Sequence, residues 1–174
     1  MSVSAKMEVV IKDACILFDL IDLDLLGSFY QLNLIVMTTP DVLAEITDQI
    51  QLSQVTKYVD SGQLQIDGSG VLDEHRQIVN KNPGLSLTDA SILDLATRRN
   101  ATVLSSDNSL RNESRRRGLM VRGMLWILEE LHIQQILTRE VMLEKLEVYP
   151  KLNKWAPRLH IEALIKKYSP EPKP

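Results

Sequence analysis

Four acids, Asp13, Glu45, Asp89 and Asp107, each stand where a short apolar run ends or a helix begins. They are far apart in the chain, and the segments around them alternate between strand-like and helix-like patterns. Such alternation implies a parallel sheet with helices on both faces. In an open sheet of this kind, the positions just beyond the strand ends open onto one edge. Carboxylates converging there repel one another unless a cation lies between them, and hard divalent ions such as Mg2+ or Mn2+ prefer oxygen ligands. The pattern therefore points to metal-assisted phosphodiester hydrolysis.

Residues 9–12 read as a strand ending at Asp13. The stretch 14–34 carries Ile16, Leu17, Leu20, Leu23 and Leu26 at helical spacing, with Asp19, Asp22 and Asp24 on a solvated face and Gly27 weakening or ending the helix. A second apolar run, 34–37, leads to Thr38-Thr39-Pro40, a helix start with a Thr cap and Pro in the first turn. Asp41 and Glu45 share a face of that helix. The middle is less regular: 64–66 reads as a short edge strand and Asp67-Gly68-Ser69-Gly70 as a plain turn. That turn lacks the Gly spacing and Lys-Ser/Thr of a phosphate-cradling loop.

A helix over 71–80 is stopped by Asn82-Pro83-Gly84. Thr88 caps the next helix, with Asp89 in its first turn. Residues 101–104 form a buried strand ending in Ser105-Ser106-Asp107-Asn108, and the helix that follows runs through Arg117 to a stop at Gly118. Leu119-Met120-Val121 is a further strand, and Gly123 turns into a helix around Trp126, which belongs to the core. Residues 139–167 give one or two amphipathic helices interrupted by Pro150 and Pro157. The expected organisation is a domain over 1–149, a helical extension over 150–168 and a disordered tail over 169–174.

The 174 residues suit a compact fold with a real core. A formal net charge of −3 means that nucleic-acid binding requires a local basic patch. Arg111, Arg115, Arg116 and Arg117 supply one, following directly from the Asp107 loop. Arg111 and Arg115 share a face suited to RNA phosphates; a solvated face paired with Glu113 is the plainer reading. Cys15, the one cysteine, lies in an apolar run and is expected to be buried. No Cys/His cluster suits zinc, and His75, His132 and His160 are surface or structural residues. Without a signal-like or membrane-spanning apolar stretch, a cytoplasmic protein with no membrane partner is expected. Trp155 either anchors the C-terminal helix or meets a partner.

At this point the chain resembles the PIN-domain family, the nucleases that include the toxins of VapBC toxin–antitoxin pairs. The elements are the strand ending in Asp13; Thr39-Pro40 with Glu45 on the next helix; Leu87-Thr88-Asp89-Ala90; Leu104-Ser105-Ser106-Asp107; and Val121-Arg122-Gly123-Met124-Leu125, over roughly residues 8–138. The resemblance implies a three-layer α/β fold, a central parallel sheet flanked by helices, with extra C-terminal helices here. It implies Mg2+ or Mn2+ held by Asp13, Glu45, Asp89 and Asp107, and hydrolysis of RNA. Thr88 and Ser105 or Ser106 would support the carboxylates through their hydroxyls, and Asn108 would orient Asp107. An antitoxin protein and a homodimer are the implied partners. Two departures stand out: Ala14-Cys15 follows Asp13 where many relatives carry a small hydroxyl or Asn, and the segment after Tyr149 has no placed counterpart. A haloacid-dehalogenase-like phosphatase would want an Asp where Cys15 stands, and a response-regulator receiver would want a late Lys where Arg122 stands. The remaining alternative is a catalytically inactive PIN fold that binds RNA or protein.

Overall fold

The computed structural model describes residues 6–12 and 14–170. Strands β1 (Met7–Ile11), β2 (Leu34–Thr38), β3 (Leu64–Ile66), β4 (Thr102–Leu104) and β5 (Val121–Arg122) form one sheet in the order β3-β2-β1-β4-β5. Every pairing is parallel. The chain builds outward from β1 to β3 on one side and from β4 to β5 on the other. The switch point therefore falls between β1 and β4, the place where open parallel sheets bind their ligands.

The helices are α1 (Ala14–Asp22), α2 (Leu26–Phe29), α3 (Pro40–Ala44), α4 (Gln49–Asp60), α5 (Leu72–Lys81), α6 (Leu87–Arg99), α7 (Asn108–Arg116), α8 (Met124–Ile133), α9 (Arg139–Leu152) and α10 (Arg158–Tyr168). Those in the same compact unit as the sheet flank it, as the alternation of patterns requires. The described residues fall into two compact units. One lies within Met1–Phe18 and Asn33–Gly123, the other within Asp19–Leu32 and Met124–Pro174.

In the first unit, Val10, Met37 and Val103 of the sheet share a core with Ile92, Leu93, Leu95 and Ala96 of α6, closed by Leu110 and Leu119. Each such side chain contributes about 1.5–3 kcal/mol by leaving water, which fixes α6 against the sheet. Arg99 at the end of α6 grips Glu8 of β1 through two bonds of 3.0 and 2.9 Å. The second unit holds α2, α8, α9 and α10. Its buried Phe29 meets Tyr30 edge-on, with centroids 5.1 Å apart. Glu129 of α8 accepts from Lys167 and Tyr168 of α10 at 2.9 and 3.0 Å.

Several expectations are corrected. The helix after residue 13 breaks at Asp24, which takes a left-handed φ of 55°, and Gly27 sits inside α2 instead of ending it. Asp19 is buried, not solvated: its carboxylate accepts from the Tyr149 hydroxyl at 2.9 Å and from Asn153 Nδ2 at 3.1 and 3.2 Å. Cys15 is exposed, because it is one residue off the stripe of Ile16, Leu17 and Leu20. The irregular middle contains α4, capped by Asp48, whose Oδ1 accepts from Ile50 and Gln51 N–H.

Asp94 is drawn in between His75 at 3.4 Å and Arg98 at 3.0 Å, so neither Asp94 nor Arg98 is a free surface charge. Trp126 is only half-buried. Pro150 lies within α9 without interrupting it. No described helix is long and apolar enough to cross a membrane. Residues 1–5 and residues 171–174 of the expected tail lie outside the described residues.

Candidate active site

The sheet edge is closed by backbone and hydroxyl bonds that tie the ends of four strands together. Thr38 Oγ1 donates to the Ile11 carbonyl at 2.7 Å, binding the end of β2 to the end of β1. Lys12 N–H donates to Leu104 O at 3.1 Å across the switch point, and Ser105 N–H to Arg122 O at 3.1 Å. Thr39 is the N-cap of α3 by position, with Pro40 first in the helix, yet its hydroxyl makes no capping bond. It meets Ser91 Oγ at 2.9 Å, and Ser91 in turn donates to Thr88 O at 2.9 Å. All three side chains at this seam, Thr38, Thr39 and Ser91, are buried. They carry the first turn of α6 to the edge.

Asp89 occupies that turn and is buried. The N-cap is Ser86, not Thr88: Asp89 N–H donates to Ser86 Oγ at 3.0 Å, and Asp89 Oδ2 accepts from Ser86 N–H at 2.7 Å and Ser86 Oγ at 2.8 Å. This reciprocal arrangement is a capping box. The other oxygen, Oδ1, is buried and receives no hydrogen bond of good geometry. It faces the Lys12 ammonium at 2.9 Å. A buried carboxylate oxygen is thus satisfied by a cation alone, and that cation is a lysine.

Asp107 caps α7, its Oδ1 accepting from Leu110 N–H at 2.8 Å, while its own N–H donates to Ser105 Oγ at 3.0 Å. Ser105 is fully buried and Ser106 exposed. The bonds fixing Asp107 come from Leu110 and Ser105; Asn108 is exposed at the helix start. Glu45 is exposed at the C-cap of the five-residue α3. Asp13 lies outside the described residues. Thr88 is half-buried, and its carbonyl takes the Ser91 bond.

Arg111 is turned inward. Its Nη1 donates to the carbonyls of Ser105 at 2.6 Å and Arg122 at 3.2 Å, making it a strut between the ends of β4 and β5. Burial, and then the charge of Arg115, hold its guanidinium below the ordinary arginine value. Arg115 stays exposed. Arg116 and Arg117 both pair with the buried Glu113, at 2.6 and 2.9 Å.

Among the described residues no three carboxylate, His or Cys side chains come together as a metal site. A buried carboxylate oxygen without a hydrogen-bond donor is a donor type that suits a hard cation, which would compete at Asp89 Oδ1 with the Lys12 ammonium. Lys12 and Ser86 are the residues that sequence reasoning missed. The Ser86-x-x-Asp89 spacing carried the signal for the cap; the Lys12 contact spans 77 residues of sequence, seen by subtracting 12 from 89, and had none.

A family model described as a PIN domain matches residues 9–169. That span runs past the 8–138 of the expected resemblance and takes in α9 and α10. Among solved structures, PAE2754 from Pyrobaculum aerophilum is similar with a TM-score of 0.55 at 14% identity. The likeness covers 74% of this chain and 97% of that one. At that identity it shows the fold. Comparison with curated proteins gives no match.

Proposed function

The chain belongs to the PIN-domain family, a nuclease fold, and from that premise we propose that it is a divalent-metal-dependent endoribonuclease. The reading is carried by the family match, with a buried carboxylate, Asp89, held by a capping box at the carboxyl edge of a parallel sheet. Asp13, Asp89 and Asp107 are assigned to hold Mg2+ or Mn2+, with Glu45 as a further ligand or as the base that orients water. When bound, the ion supplies charge against the phosphate and acidifies the attacking water. Ser86 fixes Asp89 through two hydrogen bonds to Oδ2, and a metal at Oδ1 would have to displace the Lys12 ammonium. Ser105 holds the Asp107 backbone, and Arg111 pins the carbonyl of Ser105. Thr88, Ser106 and Asn108 are assigned supporting roles at this edge, and Arg115 a phosphate contact beside it.

The narrower form of the proposal is a toxin restrained by an antitoxin protein and acting as a homodimer. Its support is the sequence resemblance to VapBC toxins. A second reading, an inactive PIN fold that binds RNA or protein, is favoured by the Lys12–Asp89 ion pair, which places a permanent cation at the site.

Mn2+ titration by calorimetry on the wild type and Asp89→Asn separates the two. Binding by the wild type that is lost in the variant supports the nuclease. Absence of binding to either, together with no cleavage of a mixed single-stranded RNA pool in Mn2+, sinks it in favour of the scaffold.

A further inference from the structure

The turn between α9 and α10 displays Trp155 with 82% of its surface open to solvent. The turn is not loosely held. Trp155 N–H donates to Asn153 Oδ1 at 2.9 Å, and Asn153 Nδ2 donates to the buried carboxylate of Asp19, which the Tyr149 hydroxyl also binds. A buried acid therefore fixes the backbone that presents an exposed indole. Beside it lies an open depression of about 780 Å³, whose lining includes the cations Lys151, Lys154 and Arg158, the acids Asp19 and Glu147, and Trp155. The Lys154 ammonium stands 5.3 Å from the centre of the indole. Among the described residues, no acid lies within ion-pair distance of Lys151, Lys154 or Arg158.

We propose that this depression binds single-stranded RNA, one base stacking on Trp155 and neighbouring phosphates meeting Lys151, Lys154 and Arg158. An exposed aromatic face on a fixed turn, with cations outnumbering acids around it, is an arrangement that suits single-stranded nucleic acid, since every base has a π-face and every linkage a charge. Charge complementarity favours this polyanion over a protein occupant, for which the exposed Leu159 and Leu152 would be the attraction. The inference rests on the RNA reading above but involves neither metal nor cleavage.

The test is fluorescence anisotropy of a labelled 12-nucleotide oligo(U), in EDTA, with the full chain. Trp155→Ala is expected to weaken binding about ten-fold, and Trp155→Phe to recover much of the loss. Lys151→Glu with Arg158→Glu is expected to flatten the salt dependence by about two counterions. Circular dichroism checks that the variants fold, as substitutions on so exposed a surface should. Wild-type protein that binds no oligo(U), or variants that bind as well as wild type, overturns the proposal. So does a wild-type dimer that Trp155→Ala splits without change in RNA affinity, which would give the surface to a second copy. Failure of Mn2+ binding with Trp155-dependent RNA binding intact removes the nuclease and leaves this surface standing; the converse removes only the surface.

Discussion

Lys12→Met takes away the cation beside Asp89 while keeping the length of the side chain. The two side chains are 13% and 8% exposed, so the small values typical of surface ion pairs do not apply. Removing one partner of a buried pair costs about 3–5 kcal/mol, because the other charge is stranded. Asp89 keeps both bonds from Ser86 on Oδ2, and only Oδ1 is left bare. The lower end, about 3 kcal/mol, is therefore expected. In a protein of this size that lowers Tm by roughly 6–12 °C. The assay is thermal unfolding in EDTA at pH 7, followed by circular dichroism. In the double variant with Asp89→Asn the stranded charge is gone, so the loss should fall short of the sum of the single losses by about 1–3 kcal/mol. Strict additivity would refute the ion pair as what neutralises Asp89. Mn2+ then adds a second arm: it should raise the midpoint of Lys12→Met more than that of the wild type, since no ammonium competes for Oδ1. Equal shifts would refute the competition.

Gly70→Ala should destabilise by about 1–3 kcal/mol in urea unfolding, because a Cβ there would stand 2.6 Å from the ring of the buried His75; an unchanged midpoint would show that the ring can move aside. Ser86→Ala should cost about 1–2 kcal/mol, through loss of the cap on α6 and of a bond to Asp89 Oδ2. It should also weaken Mn2+ binding, whereas Thr88→Ala should leave stability nearly unchanged. Burial pushes the Glu113 carboxyl up, but the bonds and charges of Arg116 and Arg117 outweigh it and hold the group below the usual glutamate range. Its stabilising contribution is thus present above the unfolded value of about 4.3 and is lost as pH falls through the lower folded value. Glu113→Gln should flatten the acid limb of a stability–pH curve, and a limb as steep as that of the wild type would exclude Glu113 as a contributor.

Local signals made much of the sheet legible. β1 and β4 announce themselves through short apolar runs, residues 9–11 and 103–104, and α6 through a polar helix start, although its cap is Ser86 and not the expected Thr88. What escaped reading depended on distant partners. Asp19 sits where spacing places a polar face, and only Tyr149 and Asn153, from the other end of the chain, make its burial tolerable. α4 hides because Val55 alone of its residues is buried, which leaves no apolar stripe to see. Arg111 shows the same limit at the site. Helical spacing aligned it with Arg115, but the carbonyls of Ser105 and Arg122 are placed by strand pairing, and they turn it inward.

The order of the strands also sets a timetable. Val9, Val10 and Ile11 of the central strand take Thr102, Val103 and Leu104 as neighbours. A chain growing at typical rates leaves β1 without that flank for roughly 5–20 seconds. During that interval β1 can pair only with β2, leaving one apolar edge open to wrong partners, so chaperone cover matters most before β4 emerges. The edge between β1 and β4 is correspondingly incomplete until residue 104 has been made. Whatever is housed at that edge therefore cannot exist before β4 and the Asp107 cap that follows it have left the ribosome.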